Sequence, residues 1–103
     1  DQALHKAVDE MVQGLIDADL GGGIVKKRVG VAGRGKSGGA RTLLATNRSG
    51  RWFFVFGFEK NDRTNINDQE LEALQTLAAD LLQRTELQLD AAVSDGSLVE
   101  MIE

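Results

Sequence analysis

The chain is predicted to be a small α+β domain: an antiparallel sheet of three to four strands packed against helices. Three observations predict it. Apolar residues recur at helical spacing at the start of the chain and again beyond residue 67. Between these segments lie stretches that alternate as strands. Each change of pattern coincides with glycine or a turn signal. The length of 103 residues suits one domain, 1–103, with one modest core.

The first helix is expected over 1–20, where Leu4, Ala7, Val8, Met11, Val12, Leu15 and Ile16 keep three- and four-residue spacing. Gly21, Gly22 and Gly23 are expected to stop it. A strand follows at about 24–31, with Val25, Val29 and Val31 on one face and Lys26 and Arg28 on the other. Two further strands, at about 41–48 and 51–60, flank the turn signal Asn47-Arg48-Ser49-Gly50. In the last strand Trp52, Phe54, Phe56 and Phe58 are expected on one face, Phe53 and Val55 on the other. A strand apolar on both faces belongs in the middle of its sheet. Asn67 with Glu70 forms a capping-box signature, so a helix is expected over 67–84. Thr85 with Gln88 marks another helix start, in a C-terminal extension over 85–103 that Gly96 interrupts.

The composition narrows the chemistry. There is no cysteine and one histidine, which excludes disulfides, thiolate metal sites and sites built on several histidines. No metal and no cofactor is expected. No apolar run approaches the ~20 residues that span a bilayer, and Asp1 opens into an amphipathic segment. A cytoplasmic protein without a membrane partner is therefore expected. The net charge of −4 hides a segregation. Residues 26–63 hold ten basic side chains against Glu59 and Asp62, a local net of +8, while the remainder carries fourteen acids and only Lys6 and Arg84. Such a divided chain suggests an anionic ligand for its middle, or a solvated strand surface beside acidic helices.

Residues 30–37, GVAGRGKS, match the phosphate-cradling pattern G-x-x-x-x-G-K-[ST]. That loop needs a buried strand before it and a helix after it. Here the upstream segment IVKKRV carries three charges, and Gly38 and Gly39 stand where a helix would start. A nucleotide cradle is not expected. The glycines instead let the backbone turn between strands, or let an anionic chain approach closely.

Gly33–Arg41 reads G-x-G-K-S-G-G-x-R. With the aromatic strand RWFFVFGF and the segment F-x-K-N-x-R-x-N-I at Phe58–Ile66, it resembles the RelE/HigB-like toxins of bacterial toxin–antitoxin pairs. The resemblance covers about Ala3 to Leu82, and more weakly the tail from Thr85. It implies a compact α+β fold and a ribosome-dependent endoribonuclease that cuts mRNA in the ribosomal A site. It also implies a cognate antitoxin, often of helix-turn-helix type. Two departures stand out. The chain looks as though it lacks the N-terminal strand and first helix with which relatives usually begin. It also has no tyrosine, the residue that better-studied relatives use late in the domain to assist proton transfer.

Cleavage of RNA by its own 2′-hydroxyl needs in-line geometry, a proton acceptor and positive charge for the phosphorane. Arg41, Lys60 and Arg63 are expected to supply the charge, with Arg34, Lys36 and Ser37 contacting RNA from the glycine-rich segment. Lys26, Lys27 and Arg28 have two readings: contact with RNA phosphates, or protection of a strand edge. His5 lies far in sequence from this cluster, so the general acid or base stays unassigned. A ParE-like gyrase inhibitor on the same fold, or a non-catalytic domain binding nucleic acid or antitoxin, are the alternatives.

Overall fold

The structure is a computed structural model and describes residues 2–31, 35–48, 50–59 and 65–100. Among them the element order is α1 (Gln2–Val12), β1 (Ala18–Gly21), β2 (Ile24–Val31), β3 (Gly35–Thr46), β4 (Trp52–Glu59), α2 (Asp68–Gln83) and α3 (Glu86–Ser94). The four strands form an antiparallel sheet in the order β1-β2-β3-β4. The α+β class is that expected from the sequence.

The expected helix over 1–20 is shorter, because it ends at Val12 and a strand begins at Ala18. Gly14, at φ 95°, takes the left-handed backbone that closes a helix. The Leu15 amide donates to the Glu10 carbonyl and the Gly14 amide to Met11, the paired bonds of a Schellman ending. Leu15 thus keeps the helical spacing by coincidence, and it is exposed. The glycines at 21–23 serve a β-hairpin. Gly21 pairs with Ile24, and Gly22 and Gly23 between them both have positive φ, as a type I′ turn requires. A Cβ on Gly22 would lie 2.7 Å from Gln75 of α2, whose amide donates to the carbonyls of Leu20 and Gly21.

The sheet carries a layer on each face. On one face α1 covers Val25, Val29 and Leu44 with Ala7 and Met11, and Trp52 and Phe54 pack alongside. On the other, α2 brings Ala78 and Leu81 onto Ile24, Leu43 and Ala45, joined by Phe53, Phe56 and Leu71. Among the described residues, Ile24, Val25, Leu43 and Leu44 are the largest side chains to be completely enclosed. Each such burial contributes about 1.5–3 kcal/mol.

Two features of β3 and β4 correct the sequence reading. The strand expected at 41–48 starts six residues earlier, at Gly35, and ends at Thr46. Glycine favours strands poorly on its own, but pairing with β2 extends the ladder into the glycine-rich segment. The ladder is irregular there. Val29 pairs with Ala40 and Val31 with Gly35, so the four residues Lys36–Gly39 stand opposite Gly30 alone. Second, the expected face of Trp52, Phe54, Phe56 and Phe58 is split. Leu43 pairs with Phe56 and Leu44 with Phe54, which leaves Val55 as a bulge. One extra residue reverses the alternation. Trp52 and Phe54 therefore face α1, and Phe56 and Phe58 face the α2 side.

β4 is an edge strand, although its apolar faces suggest a central one. Both faces are covered because α1 lies over one and α2 over the other. Its outer edge lines an apolar groove bounded by Leu4, His5 and Val8 of α1 and by Leu81, Leu89 and Leu98. Both capping boxes form: Asn67 with Glu70 on α2, and Thr85 with Gln88 on α3. Residues 97–100 are neither strand nor helix.

Candidate functional site

The strand register brings the basic residues together. Arg28 of β2 stands directly opposite Arg41 of β3, and Arg41 opposite Phe58 of β4. The neighbouring row on the same face is Lys26, Leu43 and Phe56. The Phe56 and Phe58 rings sit 5.9 Å apart in a tilted contact. This face is continuous with the one that α2 covers at its Ile24–Ala45 end. Arg28 is exposed, and Lys26 and Arg41 are half-buried. Among the described residues, none of these three side chains has a carboxylate within salt-bridge distance.

Lys27 is separated from its neighbours. Alternation turns it to the α1 face, where it is buried. Its Nζ lies 3.3 Å from Glu10 Oε1 and donates to the Leu15 carbonyl at 2.9 Å. Both bonds satisfy a charge that burial would otherwise penalise. Beside it the Thr42 hydroxyl donates to the Lys27 carbonyl at 2.7 Å and locks β3 to β2. Lys27 thus holds the fold together on the side away from Arg41.

Of the other expected site residues, Arg34, Lys60 and Arg63 lie outside the described residues, as do the side chains of Lys36 and Ser37. The backbone of Lys36 and Ser37 belongs to the irregular start of β3. Glu59, which precedes Lys60, pairs with Ala40, which precedes Arg41. Ser37 is followed by a strand rather than a helix, so the segment lacks the helix N-terminus on which a nucleotide cradle depends.

His5 belongs to α1, across the sheet from Arg41, and lines the groove along β4. Among the described residues, no group of three or more His, Asp or Glu side chains could hold a metal ion. No helix there is long and apolar enough to cross a membrane. The residue most underweighted by sequence reasoning is Asp17. Its Oδ2 accepts from the Arg28 amide at 2.5 Å, and its own amide donates to the Lys26 carbonyl at 3.0 Å. Its position just before a short strand was hidden by the apparent continuation of the helix.

The described residues thus present a cationic sheet face, built from adjacent strands of a small α+β domain. The family model described as the RelE toxin of the RelE / RelB toxin-antitoxin system matches residues 1–101. The chain belongs to that family: it is the toxin of a toxin–antitoxin system, and its partner is an antitoxin. No curated protein and no solved structure matches the chain.

Proposed function

We propose that the protein is a ribosome-dependent endoribonuclease that cuts mRNA and so inhibits translation. The observation that carries this reading is the Arg28–Arg41 pair. Like charges placed directly opposite on neighbouring strands destabilise a sheet, and here neither guanidinium has a described carboxylate within salt-bridge distance. Folding does not explain the pair, whereas a phosphate group does, because two guanidinium groups can grip its oxygens and the charge that develops in cleavage. Arg41 acts with Lys60 and Arg63 on the scissile phosphate. Lys26, Arg28, Arg34, Lys36 and Ser37 hold the flanking RNA. Lys27 takes no part in this contact.

A cluster of cations without a tyrosine, and with its histidine across the sheet, is a poor nuclease by itself. It suits an enzyme whose substrate geometry the ribosome supplies. The antitoxin, proposed to be of helix-turn-helix type, keeps the enzyme silent, and the reaction belongs in the cytoplasm. Induction of the gene in cells, followed by mapping of mRNA 5′ ends, tests the reading. New ends at codon boundaries within translated regions are expected. Growth arrest without such ends, accompanied by DNA damage, would instead mark a gyrase inhibitor. Binding to single-stranded RNA should also weaken steeply with salt despite the pI of about 4.9. Each phosphate contact contributes a slope of roughly −0.7 in log K against log salt.

A further inference from the structure

We infer that Asp17 is a positioning residue for this site: its carboxylate continues the sheet ladder past the end of β1 and so holds Arg28 opposite Arg41. The inference rests on the proposed RNA cleavage. β1 is only four residues long, and its ladder with β2 ends at the pair Ala18–Lys26. A longer β1 would have offered a backbone carbonyl to the next outward-pointing amide of β2, that of Arg28. The Asp17 Oδ2 occupies that role, accepting from the Arg28 amide at 2.5 Å. The Asp17 amide donates to the Lys26 carbonyl at 3.0 Å, and the Lys27 Nζ reaches the Leu15 carbonyl at 2.9 Å. Three successive residues of β2 are thus held by the short connector that precedes β1. The two that flank Lys27 carry charges of the cationic face.

A carboxylate suits this place because a backbone amide bonds more strongly to an ionised acceptor. It also leaves the outer edge of β2 with one donor fewer for pairing with a foreign strand. The side chain of Arg28 gains a fixed origin without forming an ion pair with the group that fixes it.

Position and charge make opposite predictions, which allows a clean test. Asp17→Ala removes a negative charge beside a cationic face. If Asp17 acted only through its field, RNA would bind more tightly. If it positions Arg28, RNA binding and mRNA cleavage should both fall by about tenfold, the worth of one charge-assisted hydrogen bond. The salt slope should flatten by about 0.7 as one phosphate contact is lost. Exchange of the Arg28 amide, followed by NMR on the intact protein, should quicken by a similar factor. Asp17→Asn keeps an oxygen acceptor without the charge, and should lose clearly less of both cleavage and slow exchange than Asp17→Ala. It also serves if the alanine variant is too unstable to assay. Faster cleavage in Asp17→Ala, an unchanged Arg28 amide, or equal loss in both variants would overturn the inference. Arg41→Ala, measured in parallel, separates the two readings. If Arg41→Ala cleaves like the parent, the proposed nuclease site falls. If only Asp17→Ala does, the positioning role alone falls.

Discussion

The basic side chains at the two ends of the sheet meet opposite circumstances. At the hairpin end, beside the β3–β4 turn, each arginine has a partner. Arg48 reaches Asp19 at 2.8 Å. Arg51 turns towards the C-terminus of α2, where its guanidinium donates to the carbonyls of Leu81, Leu82 and Arg84, and lies 3.4 Å from Glu86. At the far end, Lys26, Arg28 and Arg41 share a face, and none of their side chains has a described carboxylate within salt-bridge distance. All five belong to the same basic stretch of sequence. Its local excess of charge therefore overstates the surface open to a ligand, because Lys27, Arg48 and Arg51 are satisfied by acids from elsewhere in the chain. Arg51 is joined to a helix end, whereas Arg28 and Arg41 stand opposite each other.

This contrast can be broken or sharpened by substitution. The largest effect is expected at Leu43, which is fully enclosed and lies in the row between Lys26 and Phe56. Leu43→Ala should cost ~2–5 kcal/mol in chemical denaturation. It sets the scale for a core residue on the same face as the cationic pair, one row away from it. Next come Arg41→Ala and Lys60→Ala. Each should lower mRNA cleavage about a hundredfold, or ~3 kcal/mol of transition-state stabilisation. Stability should change by no more than about 0.5 kcal/mol, and antitoxin binding should persist. Parent-like toxicity in both variants would remove Arg41 and Lys60 from the mechanism. Loss through unfolding would make the two residues structural.

Arg51→Ala should behave in the opposite way. It leaves carbonyls at the end of α2 without their donor and should destabilise the fold by ~1–3 kcal/mol. Cleavage per folded molecule should stay near that of the parent, and a selective loss of cleavage would erase the distinction between the two ends. Arg48→Ala breaks an exposed ion pair and should cost at most ~1 kcal/mol, visible as a small shift in melting temperature.

The smallest effect concerns the tail. The Ser97 hydroxyl and then its amide donate to Asp95 and hold that carboxyl below its ordinary pKa. Because folding lowers this pKa, the contribution is present above the ordinary aspartate value and is lost as the pH falls through the lowered one. Ser97→Ala should blunt that acid limb in melts taken from about pH 5 downwards. Neutral-pH cleavage should be unaffected.

Much of this architecture was legible in the residues, because it depends on local chemistry. The capping boxes at Asn67 and Thr85 use side chains three residues apart, so nothing distant is needed to form them. β2 runs over the residues where valines alternate with charges. The α+β class followed from periodicity alone. The gathering of Arg28 with Arg41 could be anticipated only as a crowding of charge, since their direct opposition is a matter of register between strands.

Tertiary structure decided what local pattern leaves degenerate. Leu15 and Ile16 fit the helical spacing of α1, yet the left-handed Gly14 ended the helix and freed residues 18–21 to pair as β1. The glycines of β3 have little strand preference of their own, and the ladder with β2 drew them in. The Val55 bulge placed Phe54 and Phe56 on opposite faces, although alternation put them together. Lys27 and Arg28 are adjacent, equally basic residues, and only the pleat assigned one to a buried ion pair and the other to the exposed cationic face. The physical reason is common to all four. Side-chain chemistry sets what each residue can do within a few positions of itself, while register, bulges and partners across the sheet are set by contacts made after the chain has returned on itself.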